Sequence, residues 1–123
     1  MLDHLKLRVA DPAASRAFYE AALEPLGYRV LLEFGPVVGM GKDRPDFWLA
    51  KGPSTTCHVA FRADGEEEVQ RFHAAALLAG GVDNGEPGPR PHYHQNYYGA
   101  FVLDPDGNNV EAVYHGAMQP DAA

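Results

Sequence analysis

The chain says the same phrase twice. "HLKLRVADPAASRAFYEAALEPLG" begins at His4, and "HVAFRADGEEEVQRFHAAALLAGG" begins at His58. One subtraction aligns them: 58 − 4, 62 − 8, 72 − 18, 77 − 23 and 81 − 27 all equal 54, matching His with His, Arg with Arg, Phe with Phe, Leu with Leu and Gly with Gly. Ala21 and Ala22 likewise match Ala75 and Ala76. Alanines match cheaply, but a fixed register of His, Arg, Phe and Gly points to one supersecondary unit used twice.

The unit can be read from its patterning. In the first copy, Leu5, Leu7 and Val9 alternate with His4, Lys6 and Arg8, which predicts a strand with one apolar face. Asp11-Pro12 supplies a helix cap and a proline at the first helical position. "AASRAFYEAALE" then places Ala14, Phe18, Ala21 and Ala22 along one side, and Pro25 and Gly27 end the helix. "YRVLLEF", "VVGMGK" and "DFWLA" predict three strands separated by Gly and Pro turns. The first module, residues 1–50, is therefore βαβββ, and "KGPSTT" is a polar connector.

The second module, 56–115, follows the same plan. His58, Ala60 and Arg62 alternate with Val59, Phe61 and Ala63. Glu66–Glu68 load the first turn of a helix, where the positive end of its dipole favours acid. Val69, Phe72, His73, Ala76 and Leu77 recur at helical spacing, and Gly80-Gly81 gives a stop. "VDNGEPGPRPHYHQN" predicts a short strand and a loop. "YYGAFVLD" and "NNVEAVYH" are strands joined by the Pro-Asp-Gly turn. The expectation is an α+β fold of one domain, 1–123, in which two βαβββ modules form a cupped, partly closed mixed sheet with helices outside.

Composition narrows function by exclusion. At 123 residues with 46% apolar content, the chain can bury a real core. A net charge of −7 without any Lys/Arg cluster argues against nucleic-acid partners. No apolar run approaches the ~20 residues that span a bilayer, so no membrane partner is expected. "MLDHLKLRV" lacks a signal-peptide layout. A single cysteine, Cys57, rules out an internal disulfide and suits a reducing compartment, so a cytoplasmic protein is expected.

The repeated histidines point to chemistry. On strand alternation His4 and His58 turn away from the helix-packed faces. In the last strand, Asn109, Glu111 and Val113 form the set facing the same way. Two imidazoles and a carboxylate suit Zn, Fe(II), Mn, Co or Ni and leave coordination positions for water or substrate. His4, His58 and Glu111 are the predicted ligands of a divalent metal.

"DHLKLRV…RAFYEAAL…LGY", "CHVAFRA" and "YYGAFVLDPDGNNVEAV" resemble the vicinal oxygen chelate superfamily, which includes glyoxalase I, bleomycin resistance proteins, fosfomycin resistance enzymes and extradiol dioxygenases. The resemblance covers nearly the whole chain. It implies paired βαβββ modules and a metal on His4, His58 and Glu111 that chelates two adjacent oxygens of a small-molecule substrate, in lyase or dioxygenase chemistry. One departure stands out. Glyoxalase I carries a second glutamate on the last strand of its first module. Aligning "DFWLA" with "NNVEA" puts Leu49 there, which counts against glyoxalase I activity itself.

"RPHYHQNYY" supplies the candidates for acid/base assistance: His92, His94 and Tyr98 as catalytic residues, with Tyr93 and Tyr97 beside them. Phe47 and Trp48 are candidate pocket walls. Arg8 and Arg62 either grip an anionic substrate or pair with acidic residues. His73 is expected to be a partly exposed helix residue, His115 a residue near a frayed end, and Cys57 a small core residue facing the helix. The alternative to a metal enzyme is a small-molecule binding protein of the bleomycin-resistance type, without catalysis. Edge strands needing protection favour a homodimer.

Overall fold

The structure, a computed structural model, describes residues 1–116. The first module runs β1 (Leu5–Val9), α1 (Pro12–Leu23), a 3-10 turn (Glu24–Leu26), β2 (Arg29–Phe34), β3 (Val37–Gly41) and β4 (Phe47–Lys51). The second runs β5 (His58–Arg62), α2 (Glu66–Leu78), β6 (Val82–Pro89), β7 (Tyr98–Leu103) and β8 (Asn109–Tyr114). The Asp11 carboxylate accepts from the Ala14 backbone N–H at 3.2 Å, capping α1 with Pro12 just inside it. Helix α2 has no side-chain cap, and Glu66, Glu67 and Glu68 occupy its first turn.

The fold is α+β with two βαβββ modules. Their strands form two separate four-stranded sheets, ordered β1-β4-β3-β2 and β5-β8-β7-β6. In each, the first strand of the module runs parallel to the last, and the other pairings are antiparallel. β1 and β5 are therefore sheet edges within the chain.

One continuous core lies between the modules. Leu7, Val9, Phe18, Tyr19, Phe47 and Leu49 share it with Phe61, Val69, Phe72, Val110 and Ala112, and α1 packs on α2. The Phe47 and Phe61 rings meet edge to face at 5.1 Å. The "DPDGNN" turn adds polar stitching. Asp104, buried, accepts from the Tyr19 hydroxyl and from the Asn108 amide, and Asp106 accepts from the Ala10 backbone N–H at 2.9 Å. Because both helix-covered faces turn into this core, the uncovered faces of both sheets look away from it.

Several sequence expectations change here. β6 is eight residues long, with bulges at Asp83/Gly85 and Gly85/Gly88. Its prolines are tolerated because it is an edge strand. Cys57 is exposed and not core: β5 starts only at His58, and Cys57 still belongs to the connector, its N–H donating to Asn108 Oδ1 at 2.8 Å. His73 is buried, its Nε2 2.9 Å from Asp83 Oδ1. That hydrogen bond, helped by the Gly85 N–H, holds the Asp83 carboxyl below the usual carboxylate range. Among the described residues, no helix is long and apolar enough to cross a membrane.

Candidate metal centre

Strand phase sets the centre. In the second sheet Ala60 lies opposite Glu111 and Phe101 lies on its other side. His58, Ala60 and Arg62 on β5, Asn109, Glu111 and Val113 on β8, and Gly99, Phe101 and Leu103 on β7 thus share the uncovered face. Val59, Phe61, Val110, Ala112, Ala100 and Val102 take the helix-covered face.

Glu111 is the anomaly on that sheet, a carboxylate only 1% exposed. Burying such a charge requires partners. His58 Nε2 lies 2.8 Å from Oε1, and the Tyr97 hydroxyl donates to Oε2. The His58 side chain remains 53% exposed. Donor and acceptor therefore meet at the boundary of protein and solvent. Burial, the bond to Glu111 and the Glu111 charge all push the Tyr97 hydroxyl pKa upward, so it stays a donor.

Tyr97 reaches Glu111 because β7 offers Gly99 beneath it. A Cβ on Gly99 would stand 3.2 Å from Tyr97 Cε1 and 3.3 Å from Glu111 Oε2. Around Tyr97 gathers a ring cluster: Tyr93 at 4.8 Å, His94 at 5.1 Å and His115 at 5.4 Å, centroid to centroid. His94 Nε2 is 2.8 Å from His115 Nδ1, with the two rings stacked. Burial first, then His94 and Arg62, lower the pKa of His115. His94 Nδ1 is buried with no hydrogen-bond partner among the described residues.

The chain was compared with known proteins. The family model described as the Glyoxalase/Bleomycin resistance protein/Dioxygenase superfamily matches residues 1–112. The chain belongs to this superfamily. A glyoxalase/bleomycin resistance protein from Albidiferax ferrireducens has the same fold at 28% identity and a TM-score of 0.83, with 91% of this chain and 97% of that one covered. A lactoylglutathione lyase from Agrobacterium tumefaciens is 20% identical at a TM-score of 0.71, covering 98% and 96% of the two chains. A glyoxalase I mutant from Zea mays is 27% identical at a TM-score of 0.71, and the 98% of this chain that aligns spans 48% of that protein. The search of curated proteins gave no match.

Within the superfamily frame, each sequence-predicted residue has a place. His58 and Glu111 come together. His4 does not join them within the chain: it stands exposed just before β1, its Nδ1 2.7 Å from Asp3 Oδ2. Among the described residues no three His, Cys, Asp or Glu side chains are grouped to hold a metal. The hydrogen bond from His4, followed by the charge of Arg44, lowers the Asp3 pKa.

The position matching Glu111 in the first module is Trp48, not Leu49. Lys6 pairs with Trp48 as Ala60 pairs with Glu111, and 6 + 54 = 60. A one-residue shift in a strand changes face, and Leu49 is fully buried on the helix-covered side. The acid of glyoxalase I is still missing, and the indole stacks on Phe34 at 6.2 Å. Asp46 is engaged elsewhere, accepting from the Tyr28 hydroxyl at 2.8 Å.

The same one-residue logic separates the tyrosines. The Tyr98 hydroxyl accepts from Gln70 Nε2 of α2 at 2.9 Å, so Tyr98 belongs to the helix side, while Tyr97 serves Glu111. His94 belongs to the ring cluster. His92 is exposed and lies 4.3 Å from the Tyr93 ring. The sequence reading missed His115, treating it as a chain end. It also chose Tyr98 over Tyr97, although counting back by twos from Phe101, the neighbour of Glu111, arrives at Gly99 and then Tyr97.

Two donors of the kinds that a divalent ion takes stand together here, His58 and Glu111. A half-exposed imidazole nitrogen beside a buried carboxylate oxygen is a pairing of donor types that borderline metals take. Glu111 is fixed in place by Tyr97, as ligand carboxylates commonly are by outer hydrogen bonds.

Proposed function

We propose that this chain is a metal-dependent enzyme of the lyase or dioxygenase type acting on a small molecule with vicinal oxygens. His4, His58 and Glu111 hold a divalent Zn, Fe, Mn, Ni or Co ion. The buried Glu111 carboxylate paired with the half-exposed His58 imidazole carries this proposal. A buried acid between imidazole and phenol is costly to maintain and adds little as structure.

Such an ion supplies Lewis acidity to adjacent substrate oxygens. The protein's own residues do the rest. Tyr97 orients Glu111, and the His94–His115 pair buttresses the Tyr97 ring. The sequence-derived candidates for acid/base assistance are His92, His94 and Tyr98, of which Tyr98 lies on the helix side, away from Glu111. Of the three, His94 has the support of touching the ring that touches Glu111.

The third ligand comes from a second copy in a homodimer. Three observations support this. The uncovered sheet faces look away from the core, β1 and β5 are sheet edges, and the first sheet's outer face carries exposed Leu32 and Phe34 beside Trp48. His4 stands at the start of β1, the edge strand of that same sheet.

Elemental analysis of protein purified without chelator, beside a His58→Ala variant, tests the proposal. Metal in the first and its loss in the second are expected. Equal, near-zero metal in both would sink it. Metal retention should also fall as pH drops below the reference histidine pKa of ~6.5.

Ligand sequestration without catalysis is the second reading. The open aromatic surface of Phe34 and Trp48 favours it. Ligand-induced thermal stabilisation that persists in EDTA would select it.

A further inference from the structure

Arg90 stands next to this centre with no part in it so far. Its backbone N–H donates to the Tyr97 carbonyl at 2.7 Å, closing the 90–97 loop. Its side chain then folds back over β6. Nη1 donates to the Gly88 carbonyl at 2.8 Å and Nη2 to the Glu86 carbonyl at 2.7 Å. The guanidinium carbon lies 5.5 Å from the centroid of the Phe101 ring.

The strand is built to admit it. A Cβ on Gly85 would stand 2.8 Å from Phe101 Cδ1 and 3.3 Å from Arg90 Nη2, and one on Gly88 would stand 3.3 Å from Nη1. Phe101 is the cross-strand neighbour of Glu111, and its ring centroid is 6.0 Å from that of His58. The phenyl ring thus neighbours both the guanidinium and the imidazole. An open pocket of about 320 Å³ lies on the Arg90 side of this ring, lined by Asn84, Gly85, Arg90, Tyr93, Phe101 and Asn109.

A guanidinium carries five N–H donors. Nη1 donates to the Gly88 carbonyl and, at 3.4 Å, to the Pro89 carbonyl, and Nη2 donates to the Glu86 carbonyl, which leaves the Nε–H and one Nη2 hydrogen. Nε and Nη2 are neighbouring nitrogens of the planar group, a pair that can grip a carboxylate with two parallel bonds. Among the described residues, no acidic side chain makes an ion pair with Arg90. Tethering to backbone carbonyls fixes its orientation in advance, so little freedom is lost on binding.

We propose that Arg90 receives the carboxylate of the substrate. The substrate class then narrows to small planar organic acids that lie along Phe101, with vicinal oxygens at the His58–Glu111 end and the acid group at Arg90. The net charge of −7 does not draw anions from a distance, so this fixed cation selects at contact. Only the chelating half of the assignment rests on the metal proposal above.

Calorimetric titration with 3,4-dihydroxybenzoate and its amide tests it, since the two differ only in the acid group. With Zn-loaded wild-type protein the acid should bind about tenfold more tightly than the amide. Arg90→Gln should abolish that preference, so that the acid and the amide bind the variant alike. Equal affinities in wild type, a preference that survives Arg90→Gln, or no binding of the acid at millimolar concentration would each overturn the proposal. The wild-type comparison decides even if the variant fails to fold. EDTA-treated protein separates the two claims. Unchanged affinities there, with an Arg90-dependent acid preference, would retire the metal and keep Arg90. Loss of binding in EDTA, with no acid preference before it, would do the reverse.

Discussion

The hydroxyl of Tyr97 donates to Oε2 of Glu111. That contact crosses a strand position where Gly99 has no side chain, and it satisfies one oxygen of a carboxylate that is almost wholly buried. Tyr97→Phe should leave that oxygen unpaired and destabilise the fold by about 1–3 kcal/mol. Urea unfolding at neutral pH measures it. An unchanged midpoint would mean that water replaces the phenol without loss.

Gly99 and Tyr97 should then behave as one unit. A Cβ at position 99 would crowd Tyr97 Cε1 at 3.2 Å with the Ala112 carbonyl at 3.4 Å behind it, and the two methyls of Gly99→Val reach further, so the Tyr97 ring is expected to shift. Once the ring is displaced, removing its hydroxyl costs little more. The double variant should lose less stability than the two singles summed, by ~1 kcal/mol. Strict additivity would mean that the glycine serves only the backbone.

These details bear on what the sequence could disclose. The offset of 54 predicts the two modules, and period-two alternation places His58 and Glu111 on one face, because both signals are local. Faces assigned by a strand's end are less secure. Leu49 and Trp48, or Tyr98 and Tyr97, differ by one residue and hence by a whole sheet face, and only cross-strand register decides between them. Cys57 failed for a different reason: β5 starts at His58, so alternation does not extend to Cys57, which lies in the connector. His115 and Arg90 were invisible for another cause. Their partners, His94 and Phe101, reach them only through the fold of the 90–97 loop, which no periodicity encodes.

His115 makes stability depend on pH. Its folded pKa is lowered from 6.5, by burial first and then by His94 and Arg62, while Glu111 acts against the shift. The folded state therefore resists a proton that the unfolded chain accepts. Stability is unaffected above 6.5 and falls as pH drops below it toward the lowered folded value. Asp3 and Asp83, also lowered, act only around and below their ordinary 3.8, so the windows separate. Unfolding free energies at about pH 7.5 and about pH 5.5 should differ more for wild type than for His115→Gln. Equal differences would acquit His115.

The turn that launches β8 should matter to the metal as well as to the fold. Asp104 accepts from Tyr19, from the Asn108 side chain, and from the N–H groups of Asp106 and Asn108. Asp104→Ala orphans the buried Tyr19 hydroxyl and frees the segment preceding Glu111. A loss of about 3 kcal/mol is expected from several unsatisfied groups. Metal retention should weaken in parallel, since Glu111 lies three residues into the strand that this turn registers.

Whether one ion draws on two subunits can be settled by complementation. A His4→Ala chain keeps His58 and Glu111, and a His58→Ala chain keeps His4. If the third ligand comes from the partner, neither homodimer has a complete site. A heterodimer has one, built from the intact His4 of one chain and the intact pair of the other. Random reassortment makes half the dimers mixed, with one complete site of two, so co-refolded variants should recover about a quarter of the wild-type metal. A site contained within one chain gives a different result: every chain in the mixture lacks a ligand, and metal stays at the level of the separate variants. Elemental analysis after co-refolding distinguishes the two outcomes, and circular dichroism of each variant alone confirms that loss of metal is not loss of fold.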